Sequence, residues 1–318
     1  MTALEAAGLG KRYGRTWALR ECTLAVPEGR VVALVGPNGA GKTTLLHLAV
    51  GLATPTAGSV RVLDGHPAGS PAALDRVGFV AQDMALYRNV SVADMLRIGR
   101  CLNRRWDQAR AEARLAELDI PPRRKVGRLS GGQQAQVALA LVLAKRPDLL
   151  ILDEPVARLD PLARHEFMSA LMTAVAEDGI SVVFSSHVVA ELERLCDHLV
   201  VLAGGRVQVA GEVDALLAEH KVLTGPAATA DAVAAAVPVV RDRRAGAQAH
   251  LLVRDRRTAG ANGRNAPPPG WEAHRVDLEE LVLGYLRAPA AAALPGPGRL
   301  ATGTVPVQGA PRLRGEHA

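Results

Sequence analysis

Eight consecutive residues, Gly36-Pro37-Asn38-Gly39-Ala40-Gly41-Lys42-Thr43, carry the densest chemistry in the chain. They fit the spacing G-x-x-x-x-G-K-[ST], in which glycines let the backbone curl until successive N–H groups point inward at phosphate oxygens. The lysine reaches the β- and γ-phosphates, and the hydroxyl that follows is a hard oxygen ligand for Mg²⁺. The β-branched run Val31–Val35 lies just before the loop, and a helical stretch from Lys42 through Thr44 lies just after it. A helix start adds its dipole to the cradle. The spacing predicts nucleotide binding.

Two further clusters give this cradle work to do. Asp153-Glu154 closes the apolar run Leu149–Leu152. In a chain with a phosphate loop, a carboxylate at the end of a buried strand is where the Mg²⁺-supporting acid belongs. The next residue, Glu154, is placed to accept a proton from an attacking water. By themselves the pair could simply be acids capping a strand before Pro155. Leu129-Ser130-Gly131-Gly132-Gln133 forms a second nest of N–H groups at a helix start, another place for an anion. Alone it would read as an ordinary helix entry.

The elements that must hold these residues follow from hydrophobic pattern. Val31–Val35, Leu149–Leu152 and Ile180–Phe184 are apolar on both faces, as expected of parallel strands covered by helices on both sides. Between Asp83 and Arg128 the texture turns helical. Ala111, Leu115 and Leu118 recur at helical spacing behind Asp107, a plausible cap, and Pro121-Pro122 ends the pattern. The spacing predicts an α/β fold with a helical insertion over about 83–135. After about His220 the character shifts: residues 221–287 offer two strands and one capped helix, Asp277–Leu286, and read as a small α+β extension. From 288 to 318 Ala, Pro and Gly dominate, and disorder is expected.

The whole set resembles the nucleotide-binding subunit of ATP-binding cassette (ABC) transporters over roughly residues 3–220. The resemblance implies a P-loop NTPase core with an N-terminal antiparallel β subdomain. It implies that Tyr13 stacks on adenine and that Gln82 joins Mg²⁺ or the attacking water to the insertion. His187 is then the switch histidine at the γ-phosphate, and Asp160 lies in the loop that crosses to a partner. Thr43, Gln82 and Asp153 become the Mg²⁺ side of the site. The bland alternatives are a tyrosine under a hairpin, a surface glutamine, a structural histidine and a solvated acid. The sequence departs from the family at Ala157-Arg158, where a small polar residue and Gly are usual. It departs again at Gln134-Ala135-Gln136, where a cation is common.

The resemblance also implies an ATP-bound dimer of two cassettes facing head to tail, each lending Ser130, Gly131, Gly132 and Gln133 to the other's nucleotide. Three readings of such a chain compete: the ATPase subunit of a transporter with a separate transmembrane permease, a soluble ATPase acting on ribosome or nucleic acid, and an unrelated P-loop kinase. The second nest, with Glu154 and His187, removes the kinase. A single cassette, with Lys42 and Asp153 too close to enclose a long coiled coil, disfavours the soluble ATPase. The ending Asp277–Leu283 resembles the short tails of ATPases paired with export permeases, so export is expected.

Charge and composition set the surroundings. The net charge of +6 is uneven: residues 221–318 hold thirteen Lys and Arg against eight acids, so the first 220 are close to neutral. A basic face for sequence-specific nucleic-acid binding is therefore not expected. Apolar runs fall short of the roughly 18–20 residues that span a bilayer. Cys22, Cys101 and Cys196 show no paired spacing, which fits a reducing compartment. The expected location is cytoplasmic, peripheral on the inner face of the membrane.

Overall fold

A computed structural model describes residues 1–84, 86–186, 195–254 and 267–288. The expected disorder of the tail falls almost wholly on residues outside this set. The chain opens as a hairpin in which β1 (Thr2–Tyr13) pairs antiparallel with β2 (Thr16–Pro27), placing Tyr13 opposite Thr16. Then β3 (Val31–Val35) runs inward, and α1 (Lys42–Ala49) leaves it through the glycine-rich loop. Next, β4 (Ala57–Val62) returns to pair with β1, and the two-residue β5 (His66–Pro67) closes the edge. The result is an antiparallel sheet of order β2-β1-β4-β5.

After α2 (Pro71–Arg76), β6 (Val77–Val80) enters the main sheet. The helical region follows as α3 (Val92–Leu102) and α4 (Gln108–Glu117), capped by Ser91 and Asp107. Ala111 and Leu115 are buried there as the spacing predicts, with Met95, Leu96 and Ile120 around them. The long α5 (Gly131–Ala144) then turns back to the core. Its Val137, Ala140 and Ala144 face the helical cluster, while Ala135, Leu139 and Leu143 face the main sheet. An all-round apolar helix such as this is buried on every side. It therefore joins the insertion rigidly to the sheet.

The remaining core strands are β7 (Leu149–Leu152) and β8 (Ser181–Ser186), with α6 (Pro161–Asp178) between them, followed by β9 (His198–Ala203) and β10 (Arg206–Glu212). They complete a six-stranded sheet of order β10-β9-β3-β8-β7-β6, parallel except for β10. Alternation sorts β3 between two hydrophobic layers. Val31, Ala33 and Val35 point into one, Val32 and Leu34 into the other. Burial on both faces is what made these runs continuous in sequence.

The C-terminal part holds more strand than the sequence suggested. After α7 (Val213–Glu219) come β11 (His220–Pro226), α8 (Ala230–Ala236), β12 (Val239–Ala245), β13 (Gln248–Arg254), β14 (Glu272–Arg275) and α9 (Leu278–Arg287). Four antiparallel strands of order β12-β13-β11-β14 replace the two expected. The edge strands β12 and β14 are rich in charge and mostly exposed, so they lack an apolar alternation that would mark them in the sequence. β11 and β12 run parallel with β13 between them, a split β-α-β arrangement. On one face of this sheet Leu223, Leu251 and Trp271 pack with α8. On the other, α9 places Leu281, Val282 and Tyr285 in the same hydrophobic cluster as Val201, Val209 and Leu252.

Candidate nucleotide-binding site

The phosphate loop is built by close approach. Gly36 is buried, and a Cβ there would run into the carbonyl oxygen of Leu202 on the neighbouring strand. Gly41 has φ +103°, and a Cβ on it would stand 2.6 Å from the Ala18 carbonyl oxygen. Only glycine meets both demands. No side chain caps the start of α1, which leaves its first N–H groups to other partners. Lys42 is 5% exposed. Its Nζ donates to the carbonyl oxygens of Gly36 at 2.7 Å and Pro37 at 3.4 Å, and lies 3.4 Å from Glu154 Oε1.

Around the loop opens a cleft of about 750 Å³, lined by Tyr13, Ala18, residues 37–44, Gln82 and Glu154. Thus Pro37, Asn38, Gly39, Ala40, Gly41, Lys42, Thr43 and Thr44 all face one space, with Gly36 beneath them. Tyr13, at the end of β1, is 53% exposed at the rim. The ammonium of Lys11 sits 5.1 Å from the centre of the Tyr13 ring and donates to the Thr54 carbonyl oxygen at 2.7 Å. That cation covers part of the ring and steadies it.

The acids stand at the end of β7. Asp153 is 2% exposed, and its N–H donates to the Val80 carbonyl oxygen at 2.9 Å. Glu154 adopts φ +45°, a left-handed conformation unusual for a non-glycine residue. Its Oε2 accepts from Gln82 Nε2 at 3.3 Å. Cradle lysine, acid and glutamine thus meet around one point. His187 lies outside the described residues. The sequence reading missed Ser185, whose hydroxyl lies between Asp153 and Glu154. Two adjacent serines ending a strand with an apolar middle were the available signal.

Ser130, Gly131, Gly132 and Gln133 line no part of the cleft. They form the start of α5, where Ser130 Oγ accepts from the Gln133 N–H at 3.1 Å and Gln133 Oε1 accepts from the Ser130 N–H at 3.2 Å. This reciprocal capping box orders the nest without help from the cradle. Asp160 caps the neighbouring helix α6 by accepting from the Ala163 N–H at 3.0 Å. The two helix starts touch, for a Cβ on Gly132 would stand 2.8 Å from the Ala163 methyl. Signature nest and Asp160 therefore share one exposed surface.

Known proteins are similar to this chain over the same region. The family described as ABC transporter matches residues 19–157. The Nod factor export ATP-binding protein I of Rhizobium sp. (strain N33) is 34% identical over 225 residues, 69% of this chain and 73% of that protein. The sulfate/thiosulfate import ATP-binding protein CysA of Escherichia coli (strain K12) is 36% identical over 222 residues, 67% of this chain and 60% of that protein. A solved ATP binding subunit of an ABC transporter superposes with a TM-score of 0.61 at 28% identity, covering 68% of this chain and 92% of its own. A dimeric ATP-binding cassette in a post-hydrolysis state, bound to ADP and Pi, gives 0.58 at 27% identity, covering 66% and 98%. With the cradle, acids and second nest in these places, the chain belongs to the ABC transporter ATP-binding cassette family, the ATPases whose hydrolysis is coupled to transport.

Proposed function

We propose that the chain is the ATPase subunit of an exporter, working as a head-to-tail pair of cassettes on a separate transmembrane permease at the inner face of the membrane. The observation that carries the pairing is the distance in role between the two nests. The cradle opens into the cleft, while Ser130–Gln133 and Asp160 lie together outside its lining. Two copies related by a two-fold axis would bring each signature nest to the other's γ-phosphate. No helix among the described residues is long and apolar enough to cross a membrane, which supports a permease on another chain. Export is favoured by the α9 tail and by the relative named for Nod factor export. The importer relative aligns over a similar length, so the cassette alone does not set direction.

In this reading ATP lies with its base on Tyr13 and its phosphates against Gly36–Thr44. Lys42 holds the β- and γ-phosphates, and Glu154 takes the proton of the attacking water while Gln82 orients it. His187 completes the γ-phosphate contacts. The donors present suit Mg²⁺ delivered with the nucleotide: the Thr43 hydroxyl, the buried Asp153 carboxylate and the Gln82 amide are hard oxygens, too few for an all-protein cage. Mg²⁺ would neutralise charge building on the phosphates.

Purified chain should release phosphate from ATP, and a co-expressed permease should bring it to the membrane and raise that rate. Accumulation of substrate inside inverted vesicles, rather than right-side-out ones, would establish export. Hydrolysis that Glu154→Gln leaves within about twofold of wild type would overturn the catalytic assignment, since a general base contributes about 10²–10⁴-fold.

A further inference from the structure

Ser185 is 1% exposed, near the end of a strand that is buried along its whole length. Burying a hydroxyl there is costly unless its hydrogen-bonding capacity is used. It is used twice. The Oγ–H donates to Asp153 Oδ1 at 2.7 Å, and the same oxygen accepts the Glu154 backbone N–H at 2.8 Å. β7 and β8 run parallel with Leu152 beside Phe184. The Ser185 hydroxyl thus continues the link between the strands one residue past their last ladder pair, where both acids begin.

The second bond falls on a strained place. Glu154 sits at φ +45°, and this turn of the backbone is what carries its carboxylate to 3.4 Å from Lys42 Nζ and 3.3 Å from Gln82 Nε2. A non-glycine residue stays in the left-handed region only when its surroundings hold it there. The Ala157 N–H closes the turn on the Glu154 carbonyl oxygen at 3.2 Å, and Ser185 holds the N–H side. Alanine could supply neither bond, and a thiol only weak ones. A hydroxyl can donate to a carboxylate and accept from an amide at once.

We propose that Ser185 is a positioning residue for ATP hydrolysis, one hydroxyl that fixes the Asp153 carboxylate and locks the Glu154 backbone in the turn that aims its carboxylate at the attacking water. It does not line the cleft, so it acts through the two acids. The proposal rests on the reading of Glu154 as the base.

The test uses the full chain carrying Ser185→Ala, Ser185→Cys or Ser185→Thr, each checked for melting temperature and ATP binding. Losing a hydrogen bond to a charged group and a backbone clamp should lower kcat by about ten- to a hundredfold in the Ala and Cys variants. KM and ATP affinity should stay within about threefold, because the cradle is untouched. Ser185→Thr keeps the hydroxyl and should recover most of the rate. If its extra methyl unfolds the chain, the decision falls to a double-mutant cycle. Ser185→Ala should then cost the residual rate of Glu154→Gln clearly less than it costs wild type, since one of the two acids through which it acts is already disabled. A kcat within about threefold of wild type in Ser185→Ala, a loss expressed in KM, or a full multiplicative loss on the Glu154→Gln background would each overturn the proposal. Failure of the underlying reading looks different: Glu154→Gln alone would then hydrolyse ATP normally.

Discussion

Lys42 and Glu154 touch in the cleft, yet their removal should have opposite signatures. Lys42 is nearly buried, with its ammonium spanning two loop carbonyls and one carboxylate. Lys42→Ala takes the cation from the cradle and leaves Glu154 without that partner, so ATP affinity should fall by about ten- to a hundredfold, the worth of a charged hydrogen bond. Glu154→Gln keeps the shape but cannot take a proton, so affinity should hold while kcat falls by about 10²–10⁴-fold. Calorimetric titration with ATP separates the two, and equal losses of binding would refute the division of roles. Tyr13 belongs to a third class. Stacking is worth about 1–3 kcal/mol per base, so Tyr13→Ala should weaken ATP about tenfold or more yet leave competition by inorganic tripolyphosphate unchanged. A matching loss for tripolyphosphate would mean that the ring shapes the phosphate loop instead.

At the scale of elements, a buried polar cluster ties the cassette to its C-terminal sheet. His220 opens β11, with Nδ1 2.6 Å from the Leu216 carbonyl oxygen on α7 and Nε2 2.8 Å from the Tyr285 hydroxyl on α9. Arg254 on β13, paired with Glu219 at 2.9 Å, stands beside them. Burial pushes the His220 imidazole down to about 4, and the Arg254 cation adds to the fall against the Leu216 carbonyl and Glu219. The folded chain thus keeps this ring neutral where the unfolded chain binds a proton, between about pH 4 and 6.5. Its contribution is fully present above about pH 6.5 and lost as pH drops towards 4, roughly 3 kcal/mol in all by linkage. The melting temperature of wild type should therefore fall more between pH 7 and 4.5 than that of His220→Asn. Parallel pH profiles would show that the ring carries no such load. This junction was hidden in the sequence for a different reason from the exposed edges β12 and β14. The cassette strands were legible because two-sided burial leaves unbroken apolar runs, and the cradle because its chemistry is local in the chain. His220, Tyr285 and Ser185 matter through partners 65 and 32 residues away, and spacing carries no trace of such contacts.

For the whole molecule, the continuous core decides how motion can travel. Residues of β9, α5, α6, β13 and α9 share one hydrophobic cluster, so the insertion, the sheet and the C-terminal part move together unless that packing breaks. A stiff unit whose second nest lies outside the lining of its own cleft responds to ATP most directly by closing on a second copy, a dimer held by ligand. Ser130 tests this. Ser130→Arg fills the space meant for the partner's γ-phosphate and also removes the cap on α5, which costs about 1 kcal/mol. Ser130→Ala removes the cap alone and serves as its control. Both variants should bind ATP as monomers, since Lys42, Thr43 and Tyr13 are intact. In the Glu154→Gln background, ATP should drive dimerisation of the parent and of the Ala variant, weakened in the latter, but not of the Arg variant. ADP should support no dimer in any of them, because only the triphosphate reaches both nests. Sedimentation velocity with each nucleotide reads these outcomes directly. A dimer that survives Ser130→Arg, with a hydrolysis rate per chain independent of protein concentration, would make each cassette self-sufficient and end the head-to-tail reading.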